Sequence, residues 1–247
     1  MRKFLLLPLL LLLGCAPKAV REYKAVAVKE YPHDTTSYTQ GLFFDGDTFF
    51  ETTGQWGEST IRKVELESGK TLSRVDFPEE YFLEGSVALC GVLYVLTWTN
   101  RQILKYDAST LKPIGALRYP REGWGLTTDG KRFYASDGSS RIYVTGPDFK
   151  AEKTIHVTMD GHPVRYLNEL EWIDGRIWAN VYTSDTIVII NPRSGVVEAR
   201  VDCSGLYPRA GRSPHADVLN GIAVSPDGRI FLTGKYWPKL FEVVIKE

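Results

Sequence analysis

The sequence predicts an all-β fold of five repeated units, and three observations carry that prediction. No window longer than ten residues sustains a helical period; short apolar and aromatic runs alternate with Gly, Asp and Pro turns. A unit of strand, tight turn and strand recurs five times along the chain. Aromatic residues are plentiful and only 2 Met are present, a bias that suits strands better than helices.

Taken in order, the first unit runs from Gly41 to Phe50 about Asp45-Gly46-Asp47, and the second from Gly85 to Leu96 about Cys90-Gly91. The third runs from Gly125 to Ser136 about Asp129-Gly130, the fourth from Glu169 to Asn180 about Asp174-Gly175, and the fifth from Gly221 to Thr233 about Asp227-Gly228. Asp-Gly between alternating strands is a strong hairpin signal. The first four units continue into a third strand, a turn such as Glu67-Ser68-Gly69-Lys70 or Pro192-Arg193-Ser194-Gly195, and a fourth strand. Four-stranded repeats of roughly 40 to 50 residues are the signature of β-propeller blades, so the expected architecture is a five-bladed propeller. The fifth unit stops after its third strand, Leu240 to Ile245, while Tyr23 to Val28 is a strand with no unit of its own. That N-terminal strand is expected to close the ring and remove a sheet edge. An open sandwich is the alternative, and it leaves the matching registers unexplained.

The N-terminus reads as a targeting segment. Arg2 and Lys3 precede an apolar run from Phe4 to Leu13 that is too short to span a bilayer as a helix but fits a secretory signal peptide. The run ends in Leu12-Leu13-Gly14-Cys15, which resembles the bacterial lipobox, whose cysteine is lipidated; a chance Cys after an ordinary signal is the alternative. The expected organisation is a lipoprotein signal over 1–14, a lipidated linker over 15–21 and a single domain over 22–247. The protein is then exported and anchored by Cys15 to a bacterial membrane, facing the periplasm or cell exterior. With 30 basic and 30 acidic residues the chain carries no basic stripe for nucleic acid and no acidic tail. The other cysteines, Cys90 and Cys203, form no CxxC pair, and the 4 His are scattered, so no zinc site is expected. A disulfide between these two is left open.

Aligning the units exposes the residue ahead of each innermost strand: Gln40, Glu84, Trp124, Asn168 and Asn220. In a propeller these ring one mouth of the central channel. The second strands run antiparallel and exit at the same face, at Gly54, Trp98, Gly138, Tyr182 and Lys235. Two rings of carboxylate, ammonium, carboxamide and aromatic groups are expected to converge into a small-molecule pocket. Strand-end polar residues also satisfy turn backbone, which accounts well for Asn220 and for Asp137, one step before the exit position Gly138. A Glu84 and Lys235 on one channel mouth each need a partner or a task.

These residues sit in stretches that resemble the plant and bacterial glutamine cyclotransferases of the propeller type. The matching stretches include Tyr38-Thr39-Gln40-Gly41-Leu42, Leu83-Glu84-Gly85, Leu96-Thr97-Trp98, Gly123-Trp124-Gly125, Tyr166-Leu167-Asn168-Glu169 and Thr233-Gly234-Lys235-Tyr236-Trp237-Pro238. The resemblance extends in order from Tyr31 to the end. It implies a monomeric enzyme that needs no cofactor or catalytic metal and acts on peptides or proteins with N-terminal glutamine. It implies a polar core of Glu84, Lys235 and Asn168, with Gln40, Trp98 and Trp124 lining the pocket. Tyr182 stands where the family usually has a third pocket tryptophan.

The implied reaction is attack of a free α-amine on its own γ-carboxamide. Glu84 is expected to carry the proton from the amine to the leaving nitrogen. Lys235 and Asn168 donate to the developing oxyanion, or Lys235 instead keeps Glu84 ionised; the sequence leaves both open. Trp98, Trp124 and Tyr182 fold the substrate, and Gln40 and Asn220 complete its binding. The rival readings are a non-catalytic ligand-binding or scaffold propeller and a metal-dependent hydrolase, the second disfavoured by an ammonium at the same mouth. Glu51 is expected beneath the pocket as support, Glu169 in an ion pair with Arg165 or Lys235, and His33 with Asp34 in a turn. Trp56, Trp172 and Trp237 are expected to serve packing.

Overall fold

The computed structural model describes residues 19–247, so the signal segment and Cys15 lie outside the described residues. β1 (Arg21–Pro32) leads into an antiparallel meander of β2 (Thr39–Asp45), β3 (Thr48–Thr53), β4 (Thr60–Val64) and β5 (Thr71–Asp76). A second meander contains β6 (Leu83–Leu89), β7 (Val92–Thr97), β8 (Gln102–Asp107) and β9 (Pro113–Arg118). A third contains β10 (Leu126–Thr128), β11 (Phe133–Ser136), β12 (Arg141–Thr145) and β13 (Ala151–His156). The short hairpin of β14 (Thr158–Met159) and β15 (His162–Pro163) precedes β16 (Leu167–Ile173), β17 (Arg176–Val181), β18 (Thr186–Ile190) and β19 (Val197–Asp202). The chain ends in β20 (Leu219–Val224), β21 (Ile230–Gly234) and β22 (Lys239–Lys246). No helix among the described residues is long and apolar enough to cross a membrane.

β16–β19 and β20–β22 belong to one eight-stranded sheet, joined by β1. β1 pairs parallel with β19, Arg21 opposite Ala199, and antiparallel with β22 from Lys24 opposite Lys246 to Pro32 opposite Lys239. The sequence places this strand at Tyr23 to Val28; the pairing extends it at both ends.

The core lies between neighbouring sheets, face against face. Phe43, Phe50 and Ile61 of the first meander pack on Leu83, Leu93 and Val95 of the second, and Leu96 and Ile103 pack on Leu126 and Phe133 of the third. Ile142 and Val144 meet Leu170 and Ile177, and Ile187 and Ala199 meet Ile222 and Leu232. The last group returns to the first, with Tyr31, Phe231 and Leu240 against Leu42 and Phe49. Alternation of apolar residues along each strand supplies one such face per side. The first strands also neighbour one another in sequence, and β20 neighbours β2. The architecture is that of a β-propeller.

Candidate active site

Where their first strands begin, four of the strand groups depart from regular pairing. Leu83 faces Thr97 and Ser86 faces Val95, so Glu84 and Gly85 together oppose Leu96. Asn168 and Glu169 oppose Asn180 in the same way, and Asn220 and Gly221 oppose Thr233. Gln40 is the extra residue between the pairs Thr39 with Thr53 and Gly41 with Thr52. A bulge bends its strand and re-aims the side chain it carries. In the third meander Trp124 lies just ahead of β10 and donates its backbone N–H to the Ser136 carbonyl at 3.1 Å.

Each bulge is tied to a neighbouring sheet. The Thr52 hydroxyl donates to the Glu84 carbonyl at 2.8 Å, and the Ser136 hydroxyl donates to the Asn168 carbonyl at 2.7 Å. The Gly85 N–H reaches the Trp124 carbonyl at 2.7 Å, and the Gly221 N–H reaches Asn180 Oδ1 at 3.0 Å.

The result is one cavity of about 350 Å³. Gln40, Glu84, Trp124 and Asn168 enter it from the strand starts, and Trp98, Tyr182 and Lys235 from the strand exits. Asn220 does not line it. Its Nδ2 turns to the Thr39 carbonyl at 2.8 Å and to Gln40 Oε1 at 3.4 Å, so it braces the wall from behind. Gly54 and Gly138, also at strand exits, make room for rings: a Cβ on Gly54 would lie 2.4 Å from Phe82, and one on Gly138 2.6 Å from Trp124.

Sequence reasoning assigned no role in this wall to Tyr38, Gln55, Trp56 or Phe82, all of which line it. Trp56 is 44% exposed, edge-on to Phe82 and 6.2 Å from the Trp98 ring, so it is not a packing residue. Trp237, 0% exposed, and Trp172, stacked on Tyr134 at 4.9 Å, do serve packing. A signal for the missed rings existed: Tyr38 and Phe82 each stand two residues before Gln40 and Glu84, and alternate residues of an extended strand share a side.

The site's electrostatics follow from burial. Burial pushes the Glu84 carboxyl well above its ordinary value; Lys235 pulls it back and Glu122 adds to the rise. Burial lowers the Lys235 ammonium to about 7 against the opposing pull of Glu84, Asp217 and Glu169. The two proton affinities thereby converge. Lys235 Nζ donates to the Thr39 carbonyl at 3.1 Å and to Gln40 Oε1, and sits 4.0 Å over the Tyr38 ring. Asn168 Oδ1 and Trp124 Nε1 are buried and have no hydrogen-bond partner among the described residues. Unpaired polar atoms in a cavity wall are costly to the empty protein and suit an incoming ligand. Trp98 Nε1 is already committed to Glu122 at 2.9 Å.

Two buried networks support this wall. Glu51 accepts from Thr39 at 2.7 Å, Ser37 at 3.0 Å and His33 at 3.0 Å. Burial alone would raise Glu51, but His33 and Arg62 hold it below its ordinary value, and Glu51 in turn holds His33 above its own. His33 is thus part of a buried ion pair, while Asp34 after it caps a turn by accepting the Thr36 N–H at 2.9 Å. Glu169 makes no ion pair with Arg165 or Lys235 among the described residues. It accepts the Ile222 N–H at 2.9 Å, while Glu171 accepts that of Val224 at 3.1 Å. Burial pushes both carboxyls up, Glu171 to about 8.

Fold and cavity together define a β-propeller with an aromatic-walled acid–base site at one end of its first strands. More narrowly, the chain belongs to the glutamine cyclotransferase family, whose sequence model matches residues 6–245. It is 40% identical over 234 residues to a glutaminyl-peptide cyclotransferase of Arabidopsis thaliana, covering 92% of this chain and 72% of that protein. Its fold matches the crystal structure of Myxococcus xanthus glutaminyl cyclase with a TM-score of 0.86 and 38% identity, over 92% of this chain and 98% of that one.

Proposed function

We propose that the chain is a glutaminyl-peptide cyclotransferase that closes an N-terminal glutamine into pyroglutamate and releases ammonia. The observation that carries the reading is a buried carboxyl and a buried amine with converging proton affinities, Glu84 and Lys235, in a cavity that also presents unpartnered Asn168 Oδ1 and Trp124 Nε1.

Glu84 takes a proton from the substrate α-ammonium, whose ordinary value near 8 asks for only a modest base. The freed nitrogen attacks the γ-carboxamide carbon, forming the ring C–N bond and placing charge on the amide oxygen. Lys235 and Trp124 Nε1 are the donors for that oxyanion, each worth about 3 to 4 kcal/mol in comparable sites. Asn168 grips the amide nitrogen through Oδ1. Glu84 returns its proton to that nitrogen, the old C–N bond breaks, and the departing ammonia carries off the ring nitrogen's second proton as ammonium, leaving the neutral lactam and the Glu84 carboxylate. Trp98, Trp124 and Tyr182 hold the side chain folded toward the amine. The acid, the amine and the oxyanion donors all come from one chain, which acts as a monomer without a catalytic metal.

The ring has five blades: β2–β5, β6–β9, β10–β13, β16–β19, and β20–β22 completed by β1. Packing of Tyr31 and Phe231 on Leu42 and Phe49 supports closure between the last blade and the first. The protein is a bacterial lipoprotein, exported behind a signal over 1–14 and tethered through Cys15. Ammonia release from a glutaminyl peptide tests the reading. It is expected to persist in EDTA and to fall about 10²- to 10⁴-fold in Glu84→Gln. Near-wild-type turnover in that variant would remove Glu84 as proton carrier, and no release from folded wild-type protein would sink the assignment.

A further inference from the structure

The catalytic cavity opens where the first strands begin. A second cavity, of about 560 Å³, lies at the opposite strand ends, between the third and fourth meanders. Three turns and the start of β13 frame it, bringing Arg132, Lys153, Arg176 and Arg193 around the single lining carboxylate of Asp129. Asp129 pairs with Arg132 at 3.1 Å, and Glu198 pairs with Arg176 at 2.6 Å. Lys153 donates to the Arg193 carbonyl at 3.0 Å, and neither Lys153 nor Arg193 has a carboxylate partner among the described residues. The lining holds four cations to one carboxylate, and with Glu198 beside Arg176 and Glu152 acting on Arg132 a small surplus of positive charge remains.

The N-terminal segment joins the fold at this same place. Arg21 pairs with Ala199, the residue after Glu198, and adds its charge to the field at Glu198. Val20 packs with the apolar side chains of the third and fourth meanders, in company with Trp172 of the cavity wall. β1 then runs to the catalytic end, where Pro32 pairs with Lys239. Cys15 precedes Arg21 by six residue steps, a reach of about 20 Å at full extension.

We infer that this basic patch docks on the headgroups of anionic phospholipids, so that the lipid on Cys15 holds the protein with its catalytic cavity turned away from the bilayer. The inference rests on the lipidation proposed above. Each Lys or Arg near an anionic leaflet adds attraction that fades within a Debye length, so the surface must be held close, and the short tether does that. Peptide N-termini then reach the active site from the aqueous side without crossing the interface.

The test is energy transfer in vesicles carrying the full chain. Cys203 is buried and Cys90 is exposed in the turn between β6 and β7, at the same end of the first strands as the basic patch, so a thiol dye on lipidated protein reports from Cys90. A Cys90→Ser, Glu79→Cys protein places the dye in the loop ahead of β6, at the catalytic end. Transfer to a headgroup-labelled lipid is expected to be stronger from Cys90, to grow when phosphatidylglycerol replaces phosphatidylcholine, and to weaken in high salt. Arg132→Glu with Arg193→Glu is expected to remove about half or more of that anionic gain while leaving ammonia release unchanged. Equal transfer from both ends, or indifference to phosphatidylglycerol with the lipid on Cys15 verified by mass spectrometry, overturns the docking alone. Absence of lipid on Cys15 overturns the anchoring and the docking together.

Discussion

Glu84 and Lys235 share one apolar setting and answer it in opposite directions, the acid becoming weaker and the ammonium more acidic. The active form of a general base is its carboxylate, so raising its proton affinity delays activation as pH rises. The acidic limb of kcat/KM is therefore expected above the ordinary carboxylate range, and Glu84→Asp, which leaves a carboxyl in place, is expected to keep a displaced limb. A limb near the ordinary value of about 4.3 would show that another group is the base. On the alkaline side, loss of charge by Lys235 near 7 opposes the gain from deprotonating the substrate amine, so a pH–rate profile reads both. These two residues were legible in the sequence because the repeat alignment puts them at equivalent strand ends. Asn220 occupies an equivalent position too, yet its amide found the Thr39 carbonyl instead of the cavity. Position along a strand is written in the pattern; the choice between neighbouring hydrogen-bond partners is made only in three dimensions. Trp56 escaped for a similar reason, since the side to which an exposed ring turns depends on Phe82 and Trp98 beside it.

At the level of the strand, catalytic geometry depends on the bulges and on the hydrogen bonds that one meander lends the next. Ser136 illustrates the dependence: it is buried, carries no chemistry, and its hydroxyl fixes the carbonyl of Asn168 while accepting the Gly125 N–H at 2.7 Å. Ser136→Ala leaves both groups unpaired and is expected to cost about 1–3 kcal/mol of stability. Its turnover is expected to fall more than its substrate affinity, because Asn168 is displaced rather than removed. Urea unfolding and separate kcat and KM values check this; unchanged values of all three would mean that the tie does not position Asn168. Hairpins and turns were readable from Asp-Gly and its relatives. Bulges were not, since two residues opposing one leaves the alternation of apolar side chains almost intact. The hairpin of β14 and β15 went unnoticed because strands of two residues carry no periodicity.

Across the whole molecule, the last two strand groups share a strand contributed from the far end of the sequence. Ala25 of β1 is 7% exposed within the apolar cluster between the last two strand groups, whereas Val28 of the same strand is 54% exposed. Ala25→Asp buries an unpaired charge and is expected to lower Tm by on the order of 5–10 °C, with Val28→Asp changing it little. Equal melting of both variants would mean that β1 adds nothing to the stability of its sheet. The pairing of β1 with β22 was visible in the sequence as a strand without a unit and a unit without a last strand. Its second partnership, with β19, was not, because a parallel contact between neighbouring groups leaves no mark on alternation.

That second partnership has a mechanical side. A pull on the chain ahead of Arg21 runs along the axis of β1, toward the end of the fold where β19 begins. The bonds to β19 and β22 lie across that line of force. They are loaded in shear, all sharing the tension, and cannot open one after another like a zipper. A pull applied ahead of Arg21 is therefore spread over the pairings of β1 with β19 and β22, while the cavity rim at the far end of the strands stays unloaded.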